Sequence, residues 1–406
     1  VDQIVAAIDI GTTKICTLIA ETSGEEQRLR IVGVGVEPSR GMRKGGIASV
    51  SEAAEAIAAS VEKAERVSGI PVQAAYVGIG GTHLTSVNSR GVAAISRPDR
   101  GVSQEDIDRA MQGAKAIAIP HNQVVLHALA RDFSIDGNGG IIEPLGMHGY
   151  RLEVEAHVVT VSESSLQNLL QCVEAADVQP LGPVPVPIAA AEAVLRQNER
   201  ESGVVLVDIG GGTTNIAVFI DGHIWHTGAL EIGGIHVTND ISFGLRAPFD
   251  TAEEIKIARG HASPDRIRVE ETIDVASFGE EMPQILSRQF LAEIIQARVE
   301  EIFTMVLKQI KHSGYDVLLS AGAVLCGGTS QLPGIREVAK DVLGMPVRIG
   351  KPSEIDGLVD TIANPAYATS VGLLRWGLKE MSEPLPLPAS GWPERIKKWL
   401  KALFPG

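Results

Sequence analysis

One pattern occurs twice along the chain, and it limits the possible folds more than any other feature. Ile-Asp-Ile-Gly-Thr-Thr-Lys-Ile at 8–15 is echoed by Val-Asp-Ile-Gly-Gly-Gly-Thr-Thr-Asn-Ile at 207–216. Each copy reads as a strand, an Asp, a glycine turn and a second strand. A duplicated half-domain predicts two similar lobes with a ligand in the cleft between them. Because glycine has no Cβ, the turn backbones at Gly11, Gly210, Gly211 and Gly212 would let N–H groups approach a phosphate closely. Asp9 and Asp208 would face each other and hold a hydrated Mg2+, a hard cation that keeps several waters. Thr12, Thr13, Thr213 and Thr214 offer hydroxyls to phosphate oxygens, and Lys14 offers a point charge. One such turn alone is more often an ordinary hairpin. A third turn, Gly327-Gly328-Thr329, lies after a buried strand and before a helix, which suits a base or ribose resting on bare backbone.

The apolar spacing around these turns alternates between strand and helix. Residues 5–10, 15–20 and 29–36 read as strands of a meander. Residues 51–67 read as a helix with Ala54, Ile57, Ala58, Val61 and Ala64 on one face. A strand at 72–79 precedes a self-contained α+β insert at 82–163. In it, strands are expected at 84–87, 124–135 and 152–161, with a helix opened by Ser103 and Glu105. A helix at 163–176 leads to Pro180, Pro183, Pro185 and Pro187, which force an extended crossover. The second half predicts strands at 204–208, 214–220, 223–230 and 323–326. Its helices fall at 286–310, 332–343 and 365–378. The fold class is therefore α/β, with two duplicated lobes of mixed sheet flanked by helices around a nucleotide cleft.

Composition narrows the function. At 406 residues and 44% hydrophobic content the chain can fill more than one core. A net charge of −14 would repel nucleic acid, so no nucleic-acid partner is expected. Cys16, Cys172 and Cys326 are widely spaced, which argues against a disulfide framework or structural metal and for a reducing cytoplasm. No apolar run approaches the roughly 20 residues that span a bilayer, and the first residues read as a strand rather than a signal peptide.

At this point the three turns resemble the motifs of the actin-like ASKHA superfamily: two phosphate motifs and an adenosine motif. The resemblance implies that ATP with Mg2+ is the cofactor. Residues 187–195 and 364–374 are similar to the superfamily's two connecting helices. Ala-Glu-Glu-Ile-Lys at 252–256 is similar to a helix that lines the ribose in bacterial actins, which nominates Glu253 and Lys256; an ordinary charged helix face is the alternative. One departure concerns chemistry. Where bacterial actins of the MreB type place a Glu that orients the attacking water, this chain has Val186. A base in that role is worth about 10²–10⁴-fold, so ATP binding with slow hydrolysis at best is expected.

Further stretches resemble the FtsA family of bacterial cell-division proteins: Ser-Arg-Gly-Met-Arg-Lys-Gly-Gly at 39–46, Val-Gly-Ile-Gly-Gly-Thr-His at 77–83, Asn-Ser-Arg-Gly at 88–91, Ala-Ile-Ala-Ile-Pro at 116–120, Gly-Met at 146–147 and Arg-Leu-Glu-Val at 151–154. The resemblance implies subdomain 1A at 1–81 and 164–190 with 366–380, a 1C insert at 82–163, 2A at 191–240 and 309–365, and 2B at 241–308. A linker at 381–391 and a membrane helix at 392–406 would follow. It also implies a protein that polymerises with itself at the cytoplasmic face of the cell membrane, at the division septum. There it would tether FtsZ and recruit later division proteins. The FtsZ C-terminal peptide would dock on 2B, where Arg298 matches a family position; solvation of a helix face or an internal pair would equally account for that Arg.

The tail supports a membrane role on physical grounds. Trp392, Ile396, Trp399, Leu400, Leu403 and Phe404 fall on one helix face. Arg395, Lys397, Lys398 and Lys401 against Glu394 leave a local charge of +3, which suits an anionic membrane surface. The linker is shorter than is usual in the resembled family. A pilus-assembly scaffold of the PilM type shares the fold and the insert but not this tail, and a sugar kinase would need a catalytic Asp and sugar loop that the first half lacks.

Overall fold

The computed structural model describes residues 3–23, 28–43, 45–279 and 282–382. The first lobe opens with β1 (Ile4–Ile10), β2 (Lys14–Ser23) and β3 (Arg28–Pro38). A small hairpin of β4 (Met42–Arg43) and β5 (Gly46–Ile47), then α1 (Val50–Ser68) and β6 (Ala74–Ile79), follow. Helix α1 begins where the Ser49 hydroxyl accepts from the Glu52 N–H, and it ends at Gly69 in a left-handed conformation, which glycine adopts without strain. Ala53, Ile57, Val61 and Ala64 on its inner face are buried.

The insert comprises β7 (Leu84–Ala94), α2 (Gln104–Lys115), β8 (Gln123–Ile135), β9 (Asn138–Ile141) and β10 (Arg151–Ser162). Its strands form an antiparallel sheet in the order β7-β10-β8-β9. Strand β7 runs on past the expected 84–87 because its whole length pairs with β10.

After the insert come α3 (Glu163–Glu174), β11 (Gln179–Pro185), α4 (Val186–Val194) and α5 (Gln197–Ser202). From Gln179 to Pro185 the proline segment is extended, and it is also a strand: β11 pairs parallel to β6 at the sheet edge, the place where missing N–H donors are tolerated. The expected crossover stops there, because Pro187 stands in the first turn of α4, where proline's fixed φ suits a helix start. The second lobe holds β12 (Val204–Ile209), β13 (Thr214–Ile220), β14 (His223–Leu230), α6 (Gly234–Leu245), α7 (Phe249–Arg259), β15 (Thr272–Val275), β16 (Gln284–Ser287), α8 (Arg288–Ser313), β17 (Gly322–Cys326), α9 (Ile335–Leu343) and β18 (Val347–Ile349). The chain then returns through β19 (Ile355–Gly357), α10 (Val359–Ile362) and α11 (Ala368–Ser382). The long helix starts later than the periodicity predicts, since Leu286 pairs with Ile273 in the β15–β16 hairpin and Ser287 caps Gln289 and Phe290.

The duplication is visible in the strand orders. The first sheet reads β11-β6-β1-β2-β3-β19 and the second β18-β17-β12-β13-β14, so β1, β2, β3, β6 and β11 correspond to β12, β13, β14, β17 and β18. Helices α4 and α11 lie between the sheets. Their Ile188, Ala189, Ala190, Val371, Leu373 and Leu374 share one core with Leu18 and Val184 of the first sheet and Leu206 and Ala217 of the second. Small residues bring these helices close: a Cβ on Gly372 would overlap the Ala189 carbonyl.

The insert fastens onto the second lobe along β14. Ser86 Oγ donates to the Thr227 carbonyl at 2.9 Å, and Asn88 Nδ2 donates to the Trp225 carbonyl at 3.0 Å. His157, buried, bonds Asn88 Oδ1 at 2.8 Å and Thr227 Oγ1 at 3.1 Å. The Arg131 guanidinium stacks on the Trp225 ring, 3.7 Å from its centroid.

Candidate functional site

The two glycine turns meet at the cleft between the lobes and are built alike. In the first, Ile10 pairs with Ile15 and the Gly11 N–H donates to the Lys14 carbonyl at 3.0 Å. In the second, Ile209 pairs with Thr214 and the Gly210 N–H donates to the Thr213 carbonyl at 2.9 Å. The repeats therefore superpose without a gap, with Lys14 matched to Thr213. They also press on each other. A Cβ on Gly211 would overlap the Thr13 methyl, and one on Gly212 would lie 2.8 Å from Thr12 Oγ1.

The third turn closes the far side. Gly327 has φ 83° and ψ 165°, a conformation open essentially to glycine alone. Thr329 Oγ1 donates to the Gly210 carbonyl at 2.9 Å. The Gly234 and Ile235 N–H groups donate to the Gly210 and Gly211 carbonyls at 3.0 and 2.8 Å, so the second turn is joined to the start of α6. On α7, Lys256 Nζ bonds Glu253 Oε2 at 2.6 Å, Thr238 Oγ1 at 2.7 Å and the Gly234 carbonyl at 3.2 Å.

Together these elements line a cleft of about 600 Å³. Asp9, Gly11, Thr12, Thr13, Lys14, Asp208, Gly210, Gly211, Thr213, Glu253, Lys256, Gly327, Gly328 and Thr329 all lie on its wall, as does Val186. Gly212 and Thr214 do not. Thr214 is buried and its hydroxyl donates to the Ile232 carbonyl at 2.8 Å, a structural use that the motif alone did not reveal. Sequence reasoning also missed Asn215, Gly234 and the 365–370 segment. The Gly233-Gly234 pair was a usable signal for the start of α6. Ser370, which donates to Asp9 Oδ2 at 3.2 Å from 361 residues away, left none.

Electrostatics single out the two carboxylates. Burial pushes the Asp9 carboxyl up, with Lys14 and the Ser370 hydroxyl opposing the shift. Burial and then the Asp9 charge push Asp208 up to about 7, against hydrogen bonds from Asn215 and Cys326. Two like charges on one cleft wall are stabilised by a cation placed near both. Among the described residues no group of three or more His, Cys, Asp or Glu could hold a metal ion, so a cation here would need phosphate and water ligands, as Mg2+ with a nucleotide has. The cleft, the bare glycine turns and the carboxylate pair fit that group.

Arg298 lies on α8, away from the cleft. It grips Asp240 with Nε and, at 2.8 Å, with one terminal nitrogen, and it also bonds Glu301. The tail residues Trp392, Ile396, Lys397, Lys398, Trp399, Leu400, Lys401, Leu403 and Phe404 lie outside the described residues. No helix among those described is long and apolar enough to cross a membrane.

The paired lobes, matching sheet orders and central cleft define an actin-like ATPase fold. Solved structures agree on the fold: a PilM-PilN type IV pilus biogenesis complex (TM-score 0.64, 15% identity, 92% of this chain and 98% of that one) and MreB 5 of Spiroplasma citri bound to AMPPNP (TM-score 0.56, 13% identity, 94% and 99%). The family model described as cell division protein FtsA matches residues 205–372, and the SHS2 domain inserted in FTSA matches residues 81–160. The cell division protein FtsA of Pseudomonas aeruginosa is 42% identical over 413 residues, covering 99% of this chain and 98% of that protein. The chain belongs to the FtsA family of cell division proteins.

Proposed function

We propose that this protein binds Mg-ATP between its lobes, polymerises on the cytoplasmic face of the membrane at the division septum, and tethers FtsZ there while later division proteins assemble. The observation that carries the nucleotide part is the pair of superposable glycine turns with half-buried Asp9 and buried Asp208 on the wall of the cleft they share. The two turns would clamp the phosphates, with Lys14 supplying positive charge. The two carboxylates would hold Mg2+ through water. Glu253 and Lys256 would bound the ribose side, and the Gly327 turn the adenosine. The cation would supply charge neutralisation of the phosphates. Val186 on the wall offers no proton acceptor, so hydrolysis is slow.

The subdomain scheme of 1A, 1C, 2A and 2B is part of the proposal, with filament contacts at the insert and FtsZ on 2B. Arg298 contributes there as a guanidinium already fixed by Asp240 and Glu301. The basic amphipathic tail supports membrane attachment. A short helix binds lipid reversibly, so many copies in a polymer are needed for firm attachment.

Co-sedimentation with vesicles containing anionic lipid tests the reading. The full chain and a chain ending at Pro388 are each spun with and without ATP and an FtsZ C-terminal peptide. Only the full chain should pellet, carrying the peptide down. Pelleting of both chains, or of neither, contradicts the tail's role, and peptide left in the supernatant contradicts the tether.

A further inference from the structure

The first glycine turn differs from the second in carrying a cation, and that cation is held from behind. Lys14 Nζ donates to the Ala366 carbonyl at 2.7 Å and lies 3.6 Å from the centroid of the Tyr367 ring. Both partners belong to the 3-10 turn Pro365–Tyr367, which leads into α11. That turn is anchored in its own right. Asn364 Oδ1 accepts from the Ala366 N–H at 2.9 Å, Asn364 Nδ2 donates to Gln331 Oε1 at 2.6 Å, and the Gly327 N–H donates to the Pro365 carbonyl at 3.0 Å. The segment behind Lys14 is thus fixed to the third glycine turn of the second lobe.

A lysine side chain is compact in charge but flexible, and fixing it costs rotamer entropy. An aromatic face attracts an ammonium through its ring quadrupole. The Ala366 carbonyl takes one of the three ammonium donors. The ammonium also opposes the raised pKa of both Asp9 and Asp208, so its charge is felt inside the cleft.

We infer that Tyr367 is a positioning residue: its ring face, with the Ala366 carbonyl, orders the Lys14 ammonium in advance for the phosphate oxygens of a nucleotide in the cleft. The inference rests on the nucleotide reading above. It makes Tyr367 selective for the charged part of the ligand, because neither the base nor the ribose calls on Lys14.

The test is calorimetric titration of Mg-ATP and of adenosine into the full chain and its variants, with thermal melts to confirm folding. Tyr367→Leu should bind Mg-ATP about 2- to 30-fold more weakly, with adenosine affinity unchanged. Tyr367→Phe, which keeps the ring, should match the parent. In a Lys14→Met background, Tyr367→Leu should cost nothing further. Tyr367→Met keeps bulk without a π face and replaces Tyr367→Leu if that variant does not fold. Unchanged Mg-ATP affinity, an equal loss for adenosine, or additive losses in the Lys14→Met background each overturn the inference while leaving the nucleotide reading intact. A parent chain that binds neither ligand overturns both.

Discussion

Gly327→Ala gives the sharpest local test of how the cleft is built. At φ 83° and ψ 165°, an L-residue is strained by about 1–3 kcal/mol. The new methyl would also sit 2.5 Å from the Ile209 carbonyl oxygen and overlap the Asp208 carboxylate, an overpacking cost of about 1–3 kcal/mol more. Gly314→Ala is the matched control. Gly314 also has positive φ, 78°, but nothing lies within 4 Å of its Cβ position, so only the left-handed strain of about 1–2 kcal/mol applies. Urea unfolding should show Gly327→Ala less stable than Gly314→Ala by about 2 kcal/mol or more, at equal slope. Because the methyl displaces Asp208 and the third turn, Mg-ATP affinity should fall by about 10-fold or more in Gly327→Ala alone. Equal stability loss in the two variants, with Mg-ATP bound as in the parent, would refute the reasoning.

Three other outcomes follow from particular contacts. Burial beside His226 and Arg131 holds the His157 imidazole down to about 3, so below about 6.5 the unfolded chain takes a proton that the folded one refuses, and stability falls as pH falls. By pH 5 the parent should have lost about 2 kcal/mol more than His157→Gln relative to pH 7 in urea titrations; parallel curves would contradict the buried link between insert and second lobe. Val186→Glu places a carboxylate on the cleft wall, and phosphate release should rise by about 10-fold or more; an unchanged rate counts against Val186 as the cause of slow turnover. Arg298→Met removes the grip on Asp240 and should cost about 1 kcal/mol of stability and weaken FtsZ-peptide binding measured by fluorescence anisotropy; binding at parental strength removes Arg298 from the docking site.

The legible parts of this protein are those whose physics is local in sequence. A strand ending in Asp and turning through glycine is written in a few adjacent residues, which is why both turns and the α/β class could be read without a structure. Helix α1 was equally plain from its apolar spacing, whereas α4 was legible only through the resemblance of 187–195 to a connecting helix. What escaped depends on distant partners. Ser370 reaches Asp9 only because α11 packs against β1. Strand β19 has three residues, too few for a periodic signal, and exists through pairing with β3. Thr214 looked like a phosphate ligand because its hydroxyl follows the glycine run, whereas hairpin register matches Thr213 to Lys14 and leaves Thr214 buried on the Ile232 carbonyl. The start of the long helix was misplaced because Leu286 suits an apolar helix face and a strand equally well.

The central claim is that the duplicated turns and their two carboxylates form one Mg-ATP site. Calorimetry of the full chain with ATP, in Mg2+ and in excess chelator, for the parent and for Asp208→Ala, tests it most directly. One ATP per chain is expected for the parent, with weaker binding without Mg2+ and a loss of about 10-fold or more in Asp208→Ala. No binding by the parent, or binding by Asp208→Ala equal to the parent's in Mg2+, would contradict it.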